Sequence, residues 1–333
     1  MQKGDRFVRV AAKTKGKNRR APLLAAIDLG TNNCRLLIVE AAEQGHRFRV
    51  VDSFSRVVRL GEGVAGTGQL SEAAMARTLT ALKICARRLK RHGVISLRAI
   101  ATAACRRAAN ARELVARAEA EAGIRLEIVS EAEEARLAAL GCAPLLGEAY
   151  QGALVFDIGG GSTEIIWLSR SEAAVATLYS ASVPLGVVSL SEAGGGYEEM
   201  LRMVMPVFAR VACEMYAAAG PFPIGTHHLL GTSGTVTTLA ALALALPRYD
   251  RRKVDGSWHD SAALLDVAES LAALSADERR LLACVGPPRA ELMPAGCAAF
   301  AAIRAHWPCA KLRVADRGLR EGILRELMER QPA

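Results

Sequence analysis

The chain has 333 residues, of which 51% are hydrophobic and only 5% aromatic, and this length predicts two domains of about 150 residues each. No apolar run reaches the roughly 18 residues of a membrane-spanning helix. The eight scattered cysteines contain no C-x-x-C pair, which argues against a cysteine-based metal site and favours a reducing cytoplasm. The net charge of +9 is concentrated in residues 1–20, where eight basic residues face one acidic residue, and residues 21–333 carry only +2.

Residues 1–22 are interpreted as a disordered basic tail. The simpler interpretation is a solvated arm, because such tails are common and this one lacks a pattern of interleaved aromatic residues. The alternative is an arm that contacts a polyanion such as nucleic acid, polyphosphate or the ribosome.

The first half of the chain alternates between strand and helix patterns. Hydrophobic periodicity and capping residues predict three strands followed by helix, strand, helix, strand and helix. Their bounds are residues 23–27, 34–39, 48–58, 71–93, 94–102, 110–123, 124–129 and 130–140, and Ser71 and Asn110 are predicted to cap the first two helices.

The second half begins in the same way and contains an internal repeat. Residues 26–39 align without gaps with residues 155–168, so that Asp28 falls on Asp157 and Gly30 on Gly159. Repetition at this scale predicts a duplicated domain. The predicted elements are strands over 153–158, 164–168 and 174–190, a helix over 197–219, a strand over 228–230, a glycine loop over 231–235 that opens a helix, and a last helix over 319–330.

Three glycine-containing loops, at 28–33, 157–163 and 231–235, are candidate phosphate sites. Glycines let several backbone N–H groups converge on one point, where they bind phosphate oxygens without side-chain charge. An Asp at the end of the preceding strand cannot bind phosphate directly, so it holds a metal or orients water. Ordinary hairpin turns are the structural alternative, but such turns rarely need three consecutive glycines.

The acidic cluster of Glu131, Glu133 and Glu134 opens the helix predicted over 130–140. Acidic residues stabilise a helix N-terminus, and Glu133 is interpreted as the capping-box partner of Ser130. Glu134 has no such role, which makes it a candidate general base. Arg106, at the end of a strand, is either a surface residue or a group that reaches the site.

Taken together, seven motifs resemble the exopolyphosphatase/guanosine pentaphosphate phosphohydrolase (Ppx/GppA) family of the actin–Hsp70–sugar-kinase superfamily. The resemblance covers residues 23–330. It is carried, in chain order, by DLGTN at 28–32, RLGEG at 59–63, Arg106 with Asn110, EEARL at 133–137, DIGGGSTE at 157–164, GTSGT at 231–235 and GLREG at 318–322.

This resemblance implies an α/β fold of two duplicated actin-like (ribonuclease H-like) domains with an interdomain cleft. The first domain is expected over 23–135, with the helix over 319–330 packing back on it, and the second over 136–318. The chain is similar to the short members of the family, which lack additional helical domains.

For the chemistry, the resemblance implies release of the terminal phosphate from inorganic polyphosphate by attack of water. Glu134 would be the catalytic base, and Asp157 and Glu164 would be linked to Mg²⁺ or Mn²⁺. Phosphate oxygens would be held by Thr31, Asn32, Asn33, Arg106, Gly159, Gly160, Gly161, Ser162, Ser233, Gly234 and Thr235.

Two departures from the family pattern are visible. Asn33 stands where Ser is frequent, and ADRG at 315–318 replaces an S-D-G pattern, which weakens a role for Asp316.

Other functions of the same fold stay open at this point. The alternatives are hydrolysis of the 5′-phosphate of pppGpp, an ATP-dependent small-molecule kinase, and a non-catalytic actin-like scaffold, against which Glu134 argues. The expected setting is a cytoplasmic homodimer without membrane contact.

Overall fold

The computed structural model describes residues 8–9, 22–41, 48–171 and 174–330. The chain forms two compact units. The first comprises Met1–Leu137 and Leu319–Ala333, and the second comprises Ala138–Gly318. The disordered tail predicted for residues 1–22 lies outside the described residues, apart from Pro22 and the strand at 8–9. The predicted interdomain cleft stays a prediction.

Strands and helices alternate along most of the chain. In chain order they are β1 (Val8–Arg9), β2 (Leu23–Leu29), β3 (Asn33–Ala41), β4 (Phe48–Val57), α1 (Val64–Thr67), α2 (Glu72–His92), β5 (Ser96–Ala101), α3 (Ala103–Arg107), α4 (Ala111–Ala122), β6 (Leu126–Ile128), α5 (Glu131–Cys142), β7 (Gly152–Ile158), β8 (Thr163–Arg170), β9 (Val175–Val183), α6 (Val187–Glu192), α7 (Tyr197–Ala219), β10 (His227–Thr232), α8 (Ser233–Ala243), α9 (Arg251–Val254), β11 (Trp258–Asp260), α10 (Ser261–Ala273), α11 (Ala276–Leu281), α12 (Pro287–Ala290), α13 (Met293–His306), β12 (Lys311–Val314) and α14 (Leu319–Glu329).

In the first unit, a mixed sheet has inner strands that are buried on both faces. The strand order is β1-β5-β2-β3-β4, with β6 beside β5; β2, β3 and β4 are antiparallel, whereas β5 is parallel to β2. Successive residues of a strand face opposite sides. Accordingly, Ile27 packs with the residues of α2 and α4, and Leu24 packs with Leu137 of α5 and Ile323 of α14.

A glycine allows α14 to approach α5 closely. A Cβ atom at Gly322 would lie 1.9 Å from the carbonyl oxygen of Leu137, so only glycine fits there without moving the backbone. The contact fixes the C-terminal helix against the element that carries Glu134.

In the second unit the same strand pattern recurs. The order is β11-β12-β10-β7-β8-β9; β7, β8 and β9 form an antiparallel meander, and β10 is parallel to β7. The hairpin β7–β8 matches the hairpin β2–β3 of the first unit, as the sequence repeat predicts. Asp28 pairs with Arg35 across one hairpin and Asp157 with Glu164 across the other.

Several local predictions were wrong, although most elements lie where periodicity placed them. Asn110 precedes α4 but does not cap it, because its amide bonds the backbone N–H and carbonyl of Leu70 at 2.8 and 2.9 Å. The strand predicted to reach residue 190 ends at Val183, and α6 follows because the Ser189 hydroxyl accepts from the Gly186 N–H at 3.0 Å. None of the helices among the described residues is long and apolar enough to cross a bilayer.

Candidate active site

The first loop, between β2 and β3, is fastened through its carbonyl groups. The carbonyl oxygen of Asn32 accepts from the N–H groups of Val58 and Arg59 at 2.9 and 3.0 Å, and that of Thr31 accepts from Gly61 at 2.9 Å. Within the described part of the chain, the N–H groups of Thr31 and Asn32 donate no hydrogen bond. The loop therefore presents N–H donors that an anion can accept.

Asp28, at the end of β2, lies beside this loop. Burial raises the pKa of its carboxyl group, and Arg35 and Arg320 act in the opposite direction. Its position matches that of Asp157 in the repeat, but its partner across the hairpin is Arg35 instead of a carboxylate, and the nearby Glu321 raises its pKa further.

Arg106 and Glu134 meet directly. Arg106 lies in α3 and Glu134 in α5. The Nη1 atom of Arg106 donates to Oε2 of Glu134 at 2.5 Å and to the Val129 carbonyl at 3.2 Å. The pair is largely buried, with 15% and 11% of the two side chains exposed. The other terminal nitrogen, Nη2, is buried with no hydrogen-bond partner among the described residues. An unsatisfied buried guanidinium donor fits an anionic ligand, because leaving such a donor unpaired is costly.

The second loop, between β7 and β8, repeats the arrangement of the first. The Gly159 N–H donates to the carbonyl of Ser162 at 2.9 Å, and the carbonyls of Gly159 and Gly160 accept from Val187 and Val188 at 2.9 and 2.8 Å. The N–H groups of Gly160, Gly161 and Ser162 donate no hydrogen bond within the described residues. Three consecutive N–H groups are thus left for a ligand.

Glu164 is held in place by two hydroxyl groups. It is 3% exposed, and its Oε1 accepts from the hydroxyls of Ser162 at 2.7 Å and Ser182 at 3.0 Å. The Ser162 hydroxyl donates to Glu164, so the backbone N–H is the donor of Ser162 that is left for a ligand.

Asp157 and Glu164 fit a magnesium ion that is shared with a substrate. They are paired across β7 and β8, which places both side chains on one face of the sheet. No group of three or more His, Cys, Asp or Glu side chains among the described residues could hold a metal by itself. Mg²⁺ commonly takes one or two carboxylates and completes its octahedron with water and phosphate oxygens, and these two residues suit that donor set.

The third loop is shorter than the sequence predicted, because Gly231 and Thr232 belong to β10 and Ser233 begins α8. Thr232 is paired with Asp157 of the neighbouring strand. Ser233 is therefore the next residue in the chain after the partner of Asp157. Ser233 has a positive φ of 83°, which is rare for a residue with a side chain, and its hydroxyl is buried without a hydrogen-bond partner in the described chain. Strained backbone of this kind clusters at functional sites.

Arg289 is a further candidate that sequence analysis missed. Its guanidinium carbon lies 3.6 Å from where a Cβ of Gly234 would be, and Nη1 donates to the Thr238 hydroxyl at 3.2 Å. It places a cation at the N-terminus of α8. Nothing in the local sequence marks it, because the contact joins α12 to α8, which lies more than forty residues earlier in the chain.

Asp316, by contrast, has a structural role. Its carboxylate accepts from the Tyr249 hydroxyl at 2.6 Å and pairs with Arg251, and its N–H donates to Asp255. These contacts fasten α9 to the end of β12.

The predicted site residues therefore form two sets, one in each unit. In the first unit Arg106 and Glu134 are in contact, and Thr31, Asn32 and Asn33 form the β2–β3 turn. The second unit joins a carboxylate pair to two backbone segments that were predicted to bind phosphate: Asp157, Glu164, Gly159, Gly160, Gly161, Ser162, Ser233, Gly234 and Thr235.

Comparison with known proteins identifies relatives along nearly the whole chain. The model of the Ppx/GppA phosphatase family matches residues 37–331. Exopolyphosphatase 2 of Mycobacterium tuberculosis is 34% identical over 282 residues, which cover 82% of this chain and 87% of the relative. The guanosine-5′-triphosphate,3′-diphosphate pyrophosphatase of Aeromonas salmonicida is 30% identical over 311 residues, which cover 92% of this chain but 60% of the relative.

Solved structures give the same result for the fold. A Ppx/GppA family member from Aquifex aeolicus is 28% identical and superposes with a TM-score of 0.75, covering 93% of this chain and 99% of its own. An exopolyphosphatase from Cytophaga hutchinsonii, 24% identical, matches the fold with a TM-score of 0.82 over 92% of this chain and 98% of its own. The two-domain actin-like α/β fold expected from the sequence is confirmed.

Proposed function

Because this chain belongs to the Ppx/GppA phosphatase family, we propose that it is an exopolyphosphatase, which releases the terminal phosphate of inorganic polyphosphate by attack of water at the phosphoanhydride. The observation that carries the proposal is the buried pair of Arg106 and Glu134, in which the arginine keeps one donor without a partner in the described chain. A cation for phosphate and a carboxylate for water are thus held together.

Two substrates are consistent with the relatives. The relative named exopolyphosphatase 2 matches over 87% of its length, whereas the chain spans only 60% of the relative named a guanosine-5′-triphosphate,3′-diphosphate pyrophosphatase. This difference favours polyphosphate. Hydrolysis of pppGpp is the second candidate, because it also presents a terminal phosphoanhydride.

In the proposed mechanism, the phosphate chain is bound mainly by backbone N–H groups. The N–H groups of Thr31 and Asn32 in the first unit, and those of Gly160 to Ser162 in the second, donate to phosphate oxygens without the entropy cost of ordering a side chain. Arg106 binds the phosphate that is transferred, and its free Nη2 supplies the hydrogen bond that strengthens as charge develops.

Glu134 orients the attacking water and takes its proton. Its carboxylate is fixed by Arg106 and by the start of α5, so it needs no reorganisation when water binds. Asp157 and Glu164 would hold Mg²⁺, which supplies charge neutralisation to the phosphate oxygens when it is bound.

A phosphate-release assay tests the assignment. Purified protein is supplied with polyphosphates of several lengths, pppGpp and ATP, each with Mg²⁺. We expect orthophosphate from polyphosphate, less from pppGpp, and least from ATP. Activity with ATP alone, in which the terminal phosphate is transferred to an added acceptor, would instead indicate a kinase.

The metal requirement is expected to be strict. EDTA should abolish turnover and added Mg²⁺ or Mn²⁺ should restore it, while Asp157→Asn should lower kcat roughly 100-fold or more, because a neutral amide holds a divalent cation poorly. Asp277→Asn is the matched control, since the Asp277 side chain is 89% exposed. Full activity of the wild type in EDTA would remove the metal from the mechanism.

Gly186→Ala is expected to disturb the second loop. A Cβ at Gly186 would lie 2.4 Å from the carbonyl carbon of Gly160 and 2.5 Å from the nitrogen of Gly161, so the loop must move. A displacement of this size should lower kcat by about tenfold or more. Gly196→Ala serves as control, because nothing lies within 4 Å of its Cβ position; equal kinetics for the two variants would exclude the loop from the site.

The basic tail is proposed to help capture a polyanion. Deleting residues 1–22, which also removes the two-residue edge strand β1, should leave kcat nearly unchanged, raise KM for long polyphosphate and flatten its salt dependence, because fewer counterions are then released on binding. A deletion variant with wild-type KM at low salt would show that the tail has no part in substrate capture.

A cytoplasmic setting and a homodimer complete the proposal. All eight cysteines are free and seven of them are buried, which supports a reducing compartment. Light scattering on the purified protein measures the oligomeric state, and a monomer at all concentrations would exclude the dimer.

A further inference from the structure

Arg98 joins four elements of the first unit. It lies on β5 and its side chain is only 4% exposed. Its guanidinium donates to Glu127 of β6 at 3.1 Å, to Glu133 of α5 at 2.9 Å and to Glu326 of α14 at 2.5 Å. A single buried arginine therefore satisfies a carboxylate from each of three other elements.

The charges around Arg98 are balanced by two more arginines at the rim. Arg136 binds both carboxylate oxygens of Glu133 at 2.7 and 2.9 Å and lies 3.3 Å from Glu326, and Arg330 donates to Glu326 at 2.5 Å. Buried ion pairs are tolerated when each charge is paired in this way.

Glu133 stays ionised throughout the neutral range. Hydrogen bonds from Arg136 and then from Arg98 lower the pKa of its carboxyl group from 4.5 to about 2. A lowered pKa in the folded state stabilises the fold above the unfolded value, and this contribution is lost only as the pH falls from 4.5 towards 2. The Glu133 carboxylate is consequently charged at the pH of any ordinary assay.

The first turn of α5 is clamped between two arginines. Glu133 faces Arg98, whereas the next residue, Glu134, faces Arg106. Both arginines come from one continuous segment, since β5 leads into α3 through Thr102. Sequence analysis assigned Glu133 to a capping box, but its carboxylate is occupied by Arg98 and Arg136, and only the Ser130 hydroxyl caps the turn, at 3.2 Å.

We propose that Arg98 is a positioning residue for the hydrolysis, which holds the first turn of α5, and with it the carboxylate of Glu134, through Glu133 and Glu326. This inference rests on the proposed function, in which Glu134 is the base. The rival explanation is that Arg98 only stabilises the fold.

The test compares Arg98→Lys with a matched control. Lysine keeps the charge but lacks the planar guanidinium group, so it cannot donate to all three carboxylates in the same geometry. Arg125→Lys makes the same chemical change in an exposed ion pair with Glu119. Both changes are also made in the Glu134→Gln background, and kcat, KM, thermal melting and amide hydrogen exchange over residues 130–137 are measured.

If Arg98 acts through Glu134, Arg98→Lys lowers kcat by about 10- to 100-fold, because small misplacement of a catalytic group is enough, while KM changes by less than about threefold. In the Glu134→Gln background the same substitution lowers the residual rate no further, since the base is already absent. Amide exchange in the first turn of α5 rises. Arg125→Lys changes none of these quantities.

Three results would overturn the proposal: an unchanged kcat in folded Arg98→Lys, an equal further loss in the Glu134→Gln background, or unchanged amide exchange over residues 130–137. If Arg98→Lys does not fold at the assay temperature, Glu326→Gln takes its place, and it keeps an acceptor for Arg98. A wild-type protein without phosphate release, or a fully active Glu134→Gln variant, contradicts the proposed function instead, and the exchange measurement still decides whether Arg98 positions α5.

Discussion

Replacing Glu134 by Gln is expected to lower kcat for polyphosphate hydrolysis roughly 10²- to 10⁴-fold, the usual loss when a general base is removed. Gln keeps the size of Glu and an oxygen that can accept from Arg106, but it cannot take a proton. Polyphosphate affinity should be retained or should increase, because one negative charge near a polyanion is removed. Steady-state kinetics and a direct binding measurement check both points.

The structure changes the expected stability of this variant and the choice of its control. Glu134 pairs with a largely buried arginine, so the neutral substitution should destabilise the fold and lower the melting temperature. The loss of stability should be smaller than the roughly 3–5 kcal/mol that full disruption of a buried ion pair costs. Glu133 is no suitable control, because it binds Arg98 and Arg136. Glu131, exposed in the same turn, is suitable, and equal kinetic losses in Glu131→Gln and Glu134→Gln would place the base elsewhere.

Arg106→Lys is the second variant with a large expected effect. Lysine retains the charge but loses the planar guanidinium group. In that group Nη1 donates to Val129 and Glu134, and Nη2 is left for a ligand. We expect kcat to fall about 10²- to 10³-fold, as when one donor to a developing oxyanion is lost, and KM to rise as well, because Arg106 also binds the ground-state phosphate.

The rise in KM separates the two residues. Glu134→Gln should lower kcat without raising KM, whereas Arg106→Lys should lower kcat and raise KM. Arg107→Lys is the matched control, since Arg107 is the next residue of α3 and is exposed. An Arg106→Lys enzyme with wild-type KM would mean that Arg106 only orients Glu134 and does not contact substrate.

Much of the fold could be predicted because the signals are local. The helix α2 begins after Ser71, whose hydroxyl accepts from Ala74, and ends at Gly93 with φ of 66°, as the capping rules require. The repeated hairpins were predictable from the spacing of Asp28 and Asp157 and the apolar runs around them. No element was predicted between residues 244 and 318, so the helices α9 to α13 and the strands β11 and β12 were all missed.

The errors at the site arise where a local pattern and a distant partner compete. Ser130 and Glu133 have capping-box spacing, but Glu133 finds Arg98, which lies 35 residues earlier, and a charged pair is stronger than a cap to a backbone N–H. Asn110 likewise binds the backbone of Leu70, 40 residues away. The strained backbone of Ser233 could not be predicted, since only the folded chain determines its φ.

Hydrolysis of polyphosphate in water enriched with ¹⁸O identifies the phosphorus atom that water attacks. The wild-type protein is allowed to turn over, and the released orthophosphate and the remaining chains are analysed by mass spectrometry. Attack of water at the terminal phosphate predicts one solvent oxygen in each released orthophosphate, none in the remaining chain, and chains shortened by one phosphate at a time. Orthophosphate without solvent oxygen, label in the remaining chains, or cleavage within the chain would exclude attack of water at the terminal phosphate.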